Sequence, residues 1–105
     1  MERLYEISKE EGKTIVKLSE NINASNITHL RSAIQPLLAE SAKEIVFDLE
    51  RVKIFDSNGI DLLVSTGNLM KKSGGRVSVI GASEDIKSVF RILKLEKRFT
   101  NQLSA

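Results

Sequence analysis

Between Glu44 and Ile80 the hydrophobic period of the chain switches from strand-like to helical and back. Ile45, Val46, Phe47 and Leu49 form an apolar run between charged flanks, which suits a buried strand. Ile60, Leu63, Gly67 and Met70 then fall on one helical face. Lys71 and Lys72 suit the last turn of that helix, and Gly74 with Gly75 supplies its stop. Arg76 to Ile80 alternates around Val77 and Val79 as another strand. A strand, a helix and a strand in this order close through a right-handed crossover between parallel strands. That requirement constrains the chain more than any other feature, and it points to an α/β sheet with packed helices.

The flanking segments extend the pattern. Leu4 to Ile7 and Thr14 to Leu18 read as an antiparallel hairpin across a turn at Glu11, Gly12 and Lys13. Asn21 to Asn26 is turn-like and rich in helix-capping residues. Ile27, Leu30, Ile34 and Leu37 follow helical spacing; Pro36 predicts a kink or an early end near Gln35, although Leu37 and Leu38 continue the helical face. Gly81 turns the chain, Ser83 is a good N-cap, and Glu84 and Asp85 suit the first turn of a last helix. Ile86, Val89, Phe90 and Leu93 form its predicted apolar stripe. Leu95 and Phe99 extend that helix or belong to a short final one, and Asn101 to Ala105 is expected to fray. The expected fold is one α/β domain over residues 1–105, with a mixed, mostly parallel sheet, an N-terminal hairpin and three to four helices.

Composition removes several function classes. With four Phe, one Tyr and no Trp, the core is mostly aliphatic and no platform for stacking bases is visible. The net charge of +2 comes from interleaved acidic and basic residues, which argues against nucleic-acid binding. Without cysteine there is neither disulfide nor thiolate chemistry. No apolar run approaches a membrane span, and the start Met1, Glu2, Arg3 is no secretory signal, so a cytoplasmic location without membrane contact is expected. The sole histidine, His29, reads as a solvent-facing helix residue and not as a ligand. Asp48 and Asp56 near strand ends are commonplace without catalysis, and Gly74 and Gly75 lack the spacing and lysine of a nucleotide loop. No catalytic residue, metal site or cofactor is expected, and the chain does not read as an enzyme.

One segment stands out chemically: Phe55, Asp56, Ser57, Asn58, Gly59, Ile60. Ser57 sits where a strand hands over to a helix N-terminus, with unpartnered backbone N–H groups and the positive end of the helix dipole. A phosphate fits such a place, so a serine there suits a switch. The simpler reading is capping, with Asp56 or Ser57 accepting from an N–H of the next turn. Gly59 then serves close packing, and Ile60 is the first core residue of the helix.

The chain resembles the STAS domain family, most closely the bacterial anti-sigma-factor antagonists. The resemblance covers the hairpin, the Asn-rich turn, the strand Ile45 to Leu49, the motif and the last strand–helix unit. The family pattern of Asp-Ser, a small residue, Gly and an aliphatic residue is met by Asp56, Ser57, Asn58, Gly59 and Ile60. What the resemblance implies is partner switching. Ser57 is then the phosphoacceptor of an anti-sigma factor that is also a serine kinase, and a serine phosphatase resets it. The unphosphorylated form binds the kinase, and nucleotide is bound only by that partner. The implied partner surface comprises Asn23, Ser25, Asp56, Ser57, Asn58, Gly59, Ile60 and Asp61, with Val64 as a possible neighbour. Three departures bear on partner identity. Asn58 stands where the family often has Ser, Thr or Ala, Asp61 where it often has Gly, and Glu20 and Asn23 where it often has Gly and Asp. The alternative is a STAS scaffold or ligand-binding module that works without phosphorylation.

Overall fold

Gly12, at a φ of +69°, reverses the chain between β1 (Tyr5–Glu10) and β2 (Lys13–Leu18). A residue with a Cβ is strained at such a φ, so the hairpin depends on glycine at its tip. The two strands pair antiparallel, with Tyr5 opposite Leu18 and Glu10 opposite Lys13. β3 (Glu44–Asp48) joins β2 in parallel, and β4 (Arg76–Ile80) joins β3 in parallel. The order β1-β2-β3-β4 gives the mixed, mostly parallel sheet expected from the alternation of elements. The computed structural model describes residues 4–40, 43–95 and 99. Among them are three helices: α1 (Ile27–Leu38), α2 (Ser57–Lys72) and α3 (Glu84–Ile92).

The two faces of the sheet differ sharply. Strand alternation and register place Val16, Phe47 and Val79 in one row and Thr14, Ile45 and Val77 in the next. The apolar members of these rows join Leu30, Ile34, Leu63, Met70, Ile86 and Phe90 from the helices in one buried cluster. The opposite face carries Glu10, Lys13, Glu44 and Arg76 in one row across all four strands. Glu6, Lys17 and Asp48 make a second row of alternating sign. Opposite charges directly across a ladder attract and help to hold register. Between the two charged rows lie Ser8, Ile15, Val46 and Ser78, of which Val46 and Ser78 are buried.

Two details of the helices depart from the sequence expectation. α1 does not end near Gln35 but runs through Pro36 to Leu38. Pro36 lies in the last turn, so only its own bond to the Ser32 carbonyl is forfeited. The end closes with shorter-range bonds, Ala39 N–H to the Pro36 carbonyl and Glu40 N–H to the Leu37 carbonyl, both at 3.2 Å. In α3 the apolar stripe is only half used. Ile86 and Phe90 are buried, whereas Val89 and Leu93 are 39% and 51% exposed. One i,i+4 pair of this short helix meets the core, and the adjacent positions face away. Ser83 caps it as expected, its hydroxyl accepting from Ile86 N–H at 3.2 Å. Leu95 packs partly against the core, and Phe99 is buried beside Phe90 with ring centroids 5.9 Å apart. The expected extension of α3 through Leu95 is not seen: the helix stops at Ile92, and Lys94, at a φ of +58°, turns the chain before Leu95. A short final helix and a frayed tail beyond Phe99 lie outside the described residues.

The charged row has one buried member. Glu44 is 4% exposed and accepts from the Ser78 hydroxyl and from Arg76 Nη2 at 3.3 Å. Burial alone would raise its pKa, but the Ser78 hydroxyl, the Arg76 guanidinium and Lys13 outweigh it and hold the carboxyl below its usual range. A carboxylate with a lowered folded pKa contributes stability that is whole above the unfolded value of 4.5. That contribution is lost as the pH falls through the folded value. Glu44→Gln should therefore cost about 1 kcal/mol at neutral pH. It should also flatten the fall in melting temperature of the wild type between about pH 5 and pH 3, followed by circular dichroism.

Candidate functional site at the β3–α2 junction

Past Asp48 the parallel pairing of the sheet does not stop at once. Leu49 N–H donates to the Ile80 carbonyl at 2.9 Å, and Val52 N–H turns back to the Leu49 carbonyl at 2.9 Å. Val52 and Phe55 point inward, 2% and 7% exposed. Phe55 forms an isolated parallel bridge with Ile22, which is fully buried. The bridge brings the Asn-rich turn after β2 alongside the loop after β3. Both segments leave it in the same direction, so Asn23 emerges next to Asp56.

Asparagine side chains hold this arrangement. Asn21 Oδ1 accepts from the backbone N–H groups of both Lys53 and Ile54, at 2.8 and 2.9 Å. Asn26 Nδ2 donates to the Asn21 carbonyl at 2.8 Å and to Glu20 Oε1 at 3.3 Å, and Asn26 Oδ1 accepts from Asn23 N–H at 2.9 Å. Asn23 Oδ1 accepts from the backbone N–H and the hydroxyl of Ser25 at 2.9 and 2.5 Å. Asn26 is the N-cap of α1 by position, yet its side chain makes no capping bond because it is committed to this turn. Asn21 and Asn26 are structural supports of the junction that sequence reasoning missed, since an Asn-rich turn signals turn chemistry but not which distant backbone it grips.

At the start of α2 the capping question is settled in favour of Asp56. Its backbone is extended, with φ −82° and ψ −173°, and Oδ1 accepts from Asn58 N–H at 2.9 Å. Asn58 Nδ2 adds a longer contact to Asp56 Oδ2 at 3.4 Å. Ser57 is thus not the cap. It is the first helical residue, exposed, and its hydroxyl takes part in no hydrogen bond among the described residues. Asp61, one turn on, is exposed on the same side. Gly59 and Ile60 are buried, so these two belong to the packing beneath the surface, and Val64 is half-buried. Asn23 and Ser25 are exposed beside them. His29 is exposed as expected, its ring 5.8 Å from that of Tyr5. Asp48 accepts from Glu50 N–H at 3.0 Å and shares no hydrogen bond with Asp56. Among the described residues no group of three or more His, Cys, Asp or Glu side chains is placed to hold a metal, and no helix is long and apolar enough to cross a membrane.

Residues 5–104 match the STAS domain family model. The chain belongs to the STAS domain family. By sequence it is similar to the anti-sigma-B factor antagonist of Staphylococcus aureus, 25% identical over 81 residues, which cover 77% of this chain and 75% of that protein. By structure it is similar to an anti-sigma factor antagonist from Mycobacterium paratuberculosis, with TM-score 0.81, 24% identity, and coverage of 91% of this chain and 81% of the other. SpoIIAA, an anti-sigma factor antagonist, matches in its unphosphorylated form with TM-score 0.80, 17% identity and coverage of 91% and 85%. The phosphorylated form of the Bacillus SpoIIAA matches with TM-score 0.75, 16% identity and coverage of 91% and 88%. These structural likenesses establish the STAS fold, with its mixed sheet and helix-led junction.

Gly59 has a specific packing role in this STAS domain. A Cβ there would lie 2.7–2.9 Å from three ring atoms of Phe55. Such a contact is too close, and Phe55 is both buried and tied by its backbone bridge to Ile22, so its ring has little room to yield. Gly59→Ala is expected to push Phe55 aside and lower stability by about 1–3 kcal/mol. Chemical denaturation should report the loss, and amide exchange at Lys53 and Ile54 should accelerate as the loop is displaced. Asn21→Ala should accelerate the same two amides while leaving those of β4 protected.

Proposed function

We propose that this STAS domain is an anti-sigma-factor antagonist whose binding to a serine kinase is controlled by phosphorylation of Ser57. The observation that carries the reading is the division of labour at the start of α2. Asp56 does the capping, which leaves Ser57 exposed, unbonded and free to enter another protein's active site. The relatives support the reading, since those described above are anti-sigma-factor antagonists and one has been solved in a phosphorylated form. The proposed partners are an anti-sigma factor with serine-kinase activity and a serine phosphatase, met in the cytoplasm. The proposed contact surface is Ser57 with Asn23, Ser25, Asp56, Asn58 and Asp61, over a base formed by Gly59 and Ile60.

The phosphate acts on the complex more than on this domain. It adds close to two negative charges at the N-terminus of α2. The helix dipole offsets this by roughly 0.3–2 kcal/mol. Asp61, on the same side of the helix, opposes the phosphate by a similar amount. At a protein interface an unpaired buried charge costs several kcal/mol, and about 1.4 kcal/mol is a tenfold change in affinity. The kinase complex therefore dissociates without a change of fold.

The test uses purified serine kinases of the source organism with ATP and mass-spectrometric mapping. Phosphate should appear on Ser57, Ser57→Ala should bind the kinase without accepting phosphate, and Ser57→Asp should bind it at least tenfold more weakly. Phosphate transfer to Ser57→Ala, together with undiminished binding of Ser57→Asp, would contradict the mechanism. Binding without any transfer to the wild type would favour a scaffold that works without phosphorylation.

A further inference from the structure

We propose that Ile54 is the apolar anchor by which this surface seats in the kinase, an inference that rests on the reading of Ser57 given above. Val52 and Phe55 are buried at 2% and 7%, but the chain turns Ile54 outward, 63% exposed. An exposed aliphatic residue alone is ordinary. Ile54 differs in how its backbone is held and in what surrounds it. Its N–H and that of Lys53 are both fixed on Asn21 Oδ1, and the next residue is locked by the bridge to Ile22. The side chain is thus presented from a rigid base, so docking it requires little ordering of the loop. Ile54 lies three residues before Ser57, and Asn23, Ser25, Lys53, Ser57 and Asp61, all exposed on the two joined segments, are polar. An exposed apolar side chain held rigidly among polar ones suits a protein-interface anchor.

The partner's chemistry follows from this layout. It offers a dry pocket for one branched aliphatic side chain, next to the cleft that receives the Ser57 hydroxyl. Ile54 then supplies affinity that is the same before and during phosphate transfer, and Ser57 supplies the group that changes.

The test compares wild type, Ile54→Ser and Ile92→Ser against the purified kinase that phosphorylates the wild type. Ile92 is 77% exposed on α3 and controls for general loss of surface apolarity. Neither variant removes a buried contact, so both should melt within about 3 °C of the wild type. Ile54→Ser should weaken binding about 10- to 100-fold. It should raise KM for phosphorylation with kcat unchanged, the sign of uniform binding. Ile92→Ser should match the wild type in both. If the wild type binds and is phosphorylated while Ile54→Ser stays within about twofold of it, the anchor is overturned and the antagonist reading stands. An equal loss in both variants also overturns the anchor. If none of the source organism's serine kinases binds or phosphorylates the wild type, the antagonist reading fails and the anchor falls with it.

Discussion

The site depends on the Ile22–Phe55 bridge and the Asn21 carboxamide that reinforces it. Parallel strands diverge at the end of a sheet, and without a tie their loops move independently. Here one bridge carries the β2–β3 pairing beyond the strands, and one side-chain oxygen takes the two backbone donors next to it. The ring of Phe55 lies under Gly59, so the same contact sets where α2 begins. Asp56 closes the helix N-terminus, and Ser57 is left outward as its first residue.

Two residues that depart from the family pattern gain different accounts. Asn58 has a local role, with its backbone N–H and its carboxamide both directed at the Asp56 carboxylate. It thereby strengthens the cap and further frees Ser57 from that task. Among the described residues Asp61 has no such bond through its side chain, while its backbone carbonyl accepts from the Ser65 hydroxyl at 2.9 Å. Its exposed charge is available to a partner, and it makes the helix N-terminus less welcoming to a phosphate.

The fold was legible because hydrophobic period and turn chemistry agreed along the chain. The Ile45–Leu49 run, the Ile60–Met70 face and the Ser83 cap all appear where the spacing places them. The misplaced features have local causes. Pro36 is tolerated because it falls in a final turn, and Val89 and Leu93 stay exposed because α3 offers the core only one pair of side chains. Ser57 was legible as a junction residue, but its freedom was not, since sequence leaves the cap open between Asp56 and Ser57. The Asn21 grip on Lys53 and Ile54 was hidden for another reason: it joins residues far apart in sequence, which no local pattern encodes.

The central claim is that charge on Ser57 acts on a partner's surface while this domain keeps its shape. Amide spectra of the chain with serine and with phosphoserine at position 57 address it directly. The account predicts shifts confined to residues 21–26 and 53–61, the two segments joined at the bridge, with β-sheet amides unchanged. Shifts that spread to Glu44 and Arg76, at the opposite end of the strands, would show that the phosphate reshapes the domain and would contradict it.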